Sequence, residues 1–495
     1  MRNISRKRGF STCVKASAVP LIAILVSGCV VGPDYEQPGL VLPASWAGDQ
    51  RKSKTPAKKP NLVEWWRQLN DPHLNTLVAE AVSANLDVAT AKAKIREARA
   101  SYRQQAGTLL PTADGSGSAT RHRSVTAGQP SVYNQYQAGF DASWEVDLFG
   151  GNRRGTEAAG YSVQAADEDL ADTLVTLIGD VTTYYVQARE YQALIALAER
   201  TAKSQRQTAA LTRDQLQAGT ANGADSASAD GQAASTEADI PSYRISYQQS
   251  VNRLSVLLGK APSELHGLME KRSNIPAPNI TPGLGIPADI LSQRPDVRAA
   301  ERRLAQYTAK IGQAESNRYP SISLTGNIAS TASNLAELGK KSTISWSFGP
   351  SLSVPIFHGG QLKAAVDVAK AQRDQYFVAY QYAVLTAIED LENAIIGFTQ
   401  SQQRRAKLSV SVTAYRKAAQ IAQELNAAGA TDRLDVLEAE RSLYSAESNL
   451  IQSRASIATY YISLHKALGG GWTGAVDVEK PAVSDSVVGP HLAKR

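Results

Sequence analysis

The chain has 495 residues, a formal net charge of +7 and only two cysteines, Cys13 and Cys29. Its length allows several cores, and so few cysteines exclude a disulfide framework. The basic balance does not point to nucleic acid, because Arg2, Arg6, Lys7, Arg8 and Lys15 all precede Gly28, and +2 remains without them.

The first feature along the chain is an address. A basic start leads into the apolar stretch Ala16 to Val26, then Ser27, Gly28 and Cys29. This pattern predicts a signal peptide over residues 1–28. Small residues directly before a cysteine resemble a bacterial lipobox, with Val26 where leucine is usual, so Cys29 is the expected acylation site. Val30 stands where an aspartate would favour the inner membrane in that class, which points to the outer membrane. Residues 30–60 are rich in proline, glycine and lysine and extend a lipid-anchored tether over 29–60. Asn61 to Ala84, with Trp65 and Trp66, read as short helices packed on something larger. Leu86 to Leu109 is a helix ended by Pro111. No run of eighteen apolar residues occurs, so no ordinary membrane-spanning helix is expected.

A different periodicity begins at Tyr136. Tyr136, Ala138, Phe140, Ala142, Trp144, Val146 and Leu148 alternate with Gln137, Gly139, Asp141, Ser143, Glu145 and Asp147. Strict period two predicts a strand with one apolar and one wet face. Ile344, Trp346, Phe348, Leu352, Val354 and Ile356 alternate likewise with serines and Gly349, only Pro350 interrupting the bulky face. With Thr112 to Val125 and Tyr319 to Ser330, four strands are expected. Each is near or above the roughly nine to eleven residues that a tilted strand needs to cross a bilayer. Lipid outside and water inside suit the two faces, which makes Asp141, Glu145 and Asp147 candidate lumen-facing residues. Four strands cannot close a barrel, since about eight is the practical minimum. Open edges in lipid leave backbone groups unsatisfied, at several kcal/mol each. Oligomerisation to a multiple of four strands is therefore expected.

Long helices follow each strand pair. One region runs from about Gly151 to Ala218, breaks at Gly219 to Gly223, and returns to Leu258. In the second, Tyr380, Val384, Ile388, Leu391, Ile395 and Phe398, then Leu408, Val412, Tyr415, Ala419 and Ala422, mark one stripe of a helix roughly 100 Å long. After Gly429, Leu443, Leu450, Ile457 and Leu464 recur seven apart with Ala446, Ser453, Tyr460 and Ala467 between them, a coiled-coil pattern. The two halves repeat each other. Asp87-Val88 and Asp296-Val297 are 209 apart, while Gly219 and Gly429, Asp225 and Asp435, and Leu254 and Leu464 are 210 apart. The repeated unit is helix, two strands, long helix, return helix.

Catalysis finds no support. His73, His122, His266, His358, His465 and His491 lack metal-ligand spacing, and Gly469 to Gly471 lack a strand-to-helix phosphate context. No enzyme activity, cofactor or metal is expected.

The sequence is similar to the outer-membrane efflux lipoproteins, the NodT- or OprM-like branch of the TolC family. The similarity lies in Cys29 followed by Gly32-Pro33-Asp34-Tyr35 and Pro38, in Trp65-Trp66, in Arg294-Pro295-Asp296-Val297 with Ala300-Glu301, and in the run Asp435 to Leu443. The resemblance implies an α+β chain whose homotrimer forms a twelve-stranded outer-membrane β-barrel, continued by a long periplasmic α-helical coiled-coil barrel. It divides the chain into strands at 111–148 and 319–357, tunnel helices at 85–110, 149–259, 294–318 and 358–468, and equatorial segments at 61–84, 260–293 and 469–495. It also implies docking to a periplasmic adaptor (membrane fusion) protein and an inner-membrane pump, commonly of the resistance-nodulation-division type. In that family the turn after Gly429 constricts the periplasmic mouth. Leu434 falls on the apolar plug position, and Asp435 and Glu438 on acidic positions, so these three form the expected gate. Where relatives latch the hairpin with arginine or tyrosine, this chain has Thr431 and Asn426.

The expected function is a passive outer-membrane exit duct for small molecules such as drugs, supplied by the pump and adaptor. A duct for type I protein secretion would share the architecture. A lipid-anchored coiled-coil strut or adhesin would not need the wet strand face.

Overall fold

Glycines in the left-handed region break the chain at matching points of its two halves. Gly150 and Gly360, Gly219 and Gly429, and Gly259 and Gly469 all have φ between 64° and 84°, and each pair is 210 residues apart. The computed structural model describes residues 30–39, 62–126, 128–278, 288–471, 476–486 and 489–492. The signal segment, Cys29 and most of the tether lie outside these described residues.

After a short 3-10 turn at Trp65–Leu69, helices α1 (Pro72–Ala84) and α2 (Leu86–Gly107) lead to strands β1 (Thr112–Thr126) and β2 (Gln129–Val146). Helices α3 (Gly151–Gln217) and α4 (Gly223–Leu257) follow, then the short α5 (His266–Glu270). The second half runs α6 (Pro295–Ser316), β3 (Ser321–Ala332), β4 (Ile344–Ser353), α7 (Gln361–Ala427) and α8 (Arg433–Ala467). The repeat inferred from residue spacing holds to the residue in the helices. Both α2 and α6 have 22 residues, α3 and α7 have 67, and α4 and α8 have 35. One feature was not legible: β5 (Val483–Ser486) and β6 (Gly489–Leu492) pair as a small antiparallel hairpin near the end of the chain.

Among the described residues, one compact unit comprises those up to Pro38, Glu97–Ala165 and Glu301–Ala379, and a second comprises the rest. The first unit holds an antiparallel sheet of order β1-β2-β3-β4. Its register puts Phe140 opposite Ile328 and Ile328 opposite Trp346, so apolar side chains form rows across the strands. The neighbouring row is polar: Asp114, Asp141, Asn327 and Ser347 lie side by side. Phe140, Trp346, Phe348 and Leu352 are all more than 60% exposed on this single chain, and β1 and β4 are the sheet's two edges.

The second unit is built around a core of Trp65, Leu74, Leu77, Ile95, Tyr185, Leu254, Leu258 and Tyr461. Trp65 and Trp66 are buried, as expected for segments packed on something larger. Asp71 caps α1 by accepting from His73 N (2.9 Å) and Leu74 N (3.3 Å), and it also accepts from the Tyr185 hydroxyl at 2.7 Å. The repeat uses two different residues for one task. Asn85 Nδ2 donates to Leu257 O at the end of α4, while Arg294, 209 residues later, donates to Ala467 O at the end of α8. Each satisfies a carbonyl in the last helical turn that has no helical partner. The guanidinium of Arg294 is held in turn by Asp296 (2.7 Å) and Asp390 (3.0 Å).

The predicted stripes are largely buried: Tyr380, Val384, Leu391, Ile395, Phe398, Val412 and Ala419 on α7, and Leu450, Ile457 and Leu464 on α8. Tyr415 and Tyr460 depart from them and are exposed.

His465 lies in the core with its ring stacked on Trp65, centroids 5.0 Å apart, and edge-on to Tyr461. Burial drives its pKa down to about 3. The unfolded chain therefore binds a proton near pH 6.5 that the folded chain refuses. The stability this group contributes is full above pH 6.5 and falls as the pH drops toward 3, by about 1.4 kcal/mol per pH unit. His465→Leu should remove that slope, so the apparent Tm of the variant declines less than that of the wild type between pH 6.5 and 4. Parallel declines would show that His465 is not the group responsible.

Candidate functional site

The turn between α7 and α8 is set by Gly429. At φ +70 it closes the helix, and Ala430 N donates back to Leu425 O at 2.9 Å, an arrangement any other residue would enter with strain. The α3–α4 turn is built alike, with Gly219 at φ +73 and Thr220 N donating to Gln215 O. There Asn222 caps α4 by accepting from Asp225 N at 2.8 Å, whereas Asp432 makes no side-chain cap on α8.

The first turn of α8 has two faces. Val436 and Leu437 are buried, and Leu437 packs with Ala209 of α3 and Ala229 of α4. The other face presents the three gate candidates, Leu434 (50% exposed), Asp435 and Glu438. The structure thus brings these three together and adds a cation, since Arg441 pairs with Glu438 at 2.5 Å.

Sequence reasoning missed the tie that holds this turn. Arg433 Nε donates to Thr212 Oγ1 of α3 at 3.2 Å, and its Nη1 donates to Asn426 Oδ1 at 2.8 Å. Asn426 Nδ2 in turn donates to Thr431 O at 2.9 Å. Asn426 and Thr431, where the family's latch residues would stand, are therefore bonded to each other and to a third residue. No signal in the sequence could join Arg433 to a threonine more than two hundred positions away. Farther along, the Tyr444 hydroxyl donates to Asp239 Oδ2 at 2.9 Å, linking α8 to α4; burial and that carboxylate hold the phenol well above its usual pKa. Arg206 pairs with Glu237 across α3 and α4, and Arg416 with Glu447 across α7 and α8. Both partners of the second pair lie 210 residues beyond those of the first, a repetition the sequence did contain.

On the sheet, Asp141 accepts from Asn327 Nδ2 at 2.5 Å and from Ser116 Oγ at 3.5 Å, which fixes its place on the polar face. Asp114 lies directly opposite it, a like-charged neighbour the sequence reading passed over. Glu145 lies opposite Ser323 on the same face. Asp147 requires a correction, because β2 ends at Val146 and Asp147 is not a strand residue. Its carboxylate accepts from Asn152 N and Arg153 N and pairs with the Arg153 guanidinium at 3.3 Å, so it serves the start of α3. A helix N-terminus favours an anion, and the alternation alone could not foresee that competing use. Glu145 and Asp147 line a cavity of about 650 Å³ with Lys310, Gln313, Asn317 and His358, which is not uniformly acidic.

The motif Gly32-Pro33-Asp34-Tyr35 has a structural task in the same unit. Val31 N donates to Phe149 O, and buried Arg154 donates to Val31 O, Gly32 O and Asp34 Oδ1. The Tyr35 hydroxyl donates to Glu301. Gly32 is at φ +90, and a Cβ there would meet Gly312 Cα at 2.3 Å. Two glycines are needed for this close crossing of backbones.

A strand pair with one apolar and one wet face, followed by two long helices and then repeated so that the four strands form one sheet, is the architecture of an outer-membrane channel chain. The chain belongs to the outer membrane efflux protein family, whose model matches residues 77–260 and 286–470. It is 36% identical over 463 residues to nodulation protein T of Rhizobium leguminosarum bv. trifolii, covering 92% of this chain and 97% of the relative. It is 33% identical over 478 residues to the solvent efflux pump outer membrane protein SrpC of Pseudomonas putida, covering 93% and 99%. Among solved structures it resembles the outer-membrane channel OprN, with a TM-score of 0.84 at 33% identity over 90% of this chain and 100% of that one. The chain is an outer-membrane efflux channel protein extending into the periplasm, and neither named relative is described as an enzyme.

Proposed function

We propose that three copies of this chain form one closed barrel and one periplasmic tunnel, and that the assembly passively passes small molecules delivered by a periplasmic adaptor and an inner-membrane pump of the resistance-nodulation-division type. The observation that carries this reading is the sheet: four strands, two open edges, and an apolar face exposed on the single chain. Edges in lipid leave backbone groups unsatisfied unless another sheet pairs with them. Asp114, Asp141 and Glu145 then line the barrel's water, and the turn at Gly429 narrows the periplasmic mouth through Leu434, Asp435 and Glu438. The relative named for solvent efflux supports small molecules as cargo.

Two measurements test the reading together. Deleting the gene should sensitise cells to antibiotics, dyes or detergents, and the purified protein should sediment as a trimer whose circular dichroism is dominated by helix. A stable monomer with the same spectrum would contradict the edge argument.

Cys29 is proposed as the lipid anchor, acylated after cleavage of residues 1–28. One acyl chain binds a membrane weakly, but several per assembly hold firmly. Cys29→Ala should abolish labelling by a radioactive fatty acid, and undiminished labelling would end the claim. Efflux should survive the substitution, because the barrel itself holds the protein in the membrane.

A further inference from the structure

Two arginines stand at the far end of the sheet, away from the turn proposed as the gate. Arg121 and Arg123 of β1 are exposed and stand opposite Asn134 and Val132 of β2. By strand alternation they share a face with Tyr136, Phe140 and Trp144. The other face at this level belongs to His122, which stacks on Tyr133 at 5.2 Å and bonds to Thr120 at 2.9 Å. The arginines therefore project from the apolar side of the sheet.

Their height is informative. From Trp144 to Asn134, the partner of Arg121, is ten residues along β2. At about 3.4 Å per residue and a tilt of about 40°, that is about 26 Å along the membrane normal, against an apolar band about 25 Å tall. Trp144 and Tyr136 fall near the two borders of the band, where aromatic girdles sit. Arg121 then stands at headgroup level, and Arg123 one pleat farther out.

Among the described residues of the chain, no acid shares their face of the first two strands. The face from Pro130 to Trp144 carries no acid, because Asp114, Asp141 and Glu145 all lie on the opposite side. Neither arginine makes an ion pair among the described residues. Below them the same face of β1 holds only Ala113, Gly115, Gly117 and Ala119, a shallow strip bordered by the Phe140 ring, which leans over Gly115. A guanidinium offers a planar fork of donors that matches a phosphate bidentately.

We propose that Arg121 and Arg123 bind the phosphate of a phosphorylated lipid in the outer leaflet, with its acyl chain lying along the small residues of β1. The inference rests on the reading of the apolar face as lipid-facing.

The test uses the intact assembly in phosphatidylcholine nanodiscs doped with lipid A, with bound lipid read by native mass spectrometry. The wild type should retain lipid A adducts, and Arg121→Ser with Arg123→Ser should weaken that binding about tenfold or more, the loss of one charge-assisted contact. Arg121→Lys with Arg123→Lys should fall between, since it keeps the charge and loses the fork. Arg404→Ser with Arg405→Ser, the same charge change on α7, should leave binding unchanged, and conductance should be unchanged in all. Equal binding by the serine variant and wild type would overturn the proposal, as would displacement of the lipid by inorganic phosphate alone, which would mean a simple anion site. Brominated lipids separate the two readings. If they fail to quench Trp144 and Trp346, the lipid-facing assignment itself falls; if they quench while lipid A shows no preference, only the phosphate site falls.

Discussion

Arg433→Ala should give a channel that opens more readily, with a higher mean conductance in planar bilayers than the wild type. The side chain ties the start of α8 to Thr212 of α3 and to Asn426 at the end of α7. A hydrogen bond from a charged donor contributes about 1.5–3 kcal/mol when buried. Arg433 is only half-buried, so a loss of about 1.4 kcal/mol is the better expectation, which shifts the open-to-closed ratio about tenfold. Thr212→Val removes the acceptor and spares the charge, and it should reproduce part of the effect. Combining the two should add little, because both cut the same bond. Leu434→Ala should act by another route. Half of its side chain stays exposed on the single chain, free to pack between copies. That variant should raise conductance while lowering the stability of the dissociated chain less than truncation of the buried Leu437 would.

How much of this was legible in the sequence depended on the range of the interaction. Leu450, Ile457 and Leu464 were found because burial repeats every seven residues along one helix. Phe140 and Trp346 were found because a strand alternates its faces, and the register then places Ile328 between them in one row. The match of Gly219 to Gly429, 210 apart, was visible by subtraction, whereas the pair Gly150 and Gly360 emerged only from the backbone. What stayed hidden was decided by partners distant in sequence. Arg433 needs Thr212, Tyr444 needs Asp239, and Arg154 needs the carbonyls of Val31 and Gly32. Asp147 failed for a local reason, since the strand pattern and the helix start both claim an acid at that point and the helix start holds it. Tyr415 shows the limit of a helical stripe, for at position 415 the stripe continues on paper while the side chain is exposed.

The second large effect is expected at the acids of the same turn. Asp435 and Glu438 lie one helical turn apart on the exposed face of α8. Three-fold symmetry would set three copies of each around one axis. Like charges held near one another gather counter-ions, and a cleft lined by one sign of charge can raise their local concentration by about tenfold or more. Divalent and trivalent cations should therefore block the wild-type pore from the periplasmic side. Asp435→Ala should weaken that block about tenfold and reduce cation selectivity. Glu438→Ala should do less, because Arg441 already neutralises part of its charge at 2.5 Å. The same pairing gives an opposite sign elsewhere: Arg441→Ala frees Glu438 and should strengthen the block. A structural role for these residues would move stability in all three variants and would not reverse the sign between Glu438→Ala and Arg441→Ala. If block and selectivity match the wild type in every variant, the constriction lies elsewhere. The turn from Gly219 to Asp225 is then the next candidate, and it carries a single acid ring, because Ser228 stands 210 residues before Glu438.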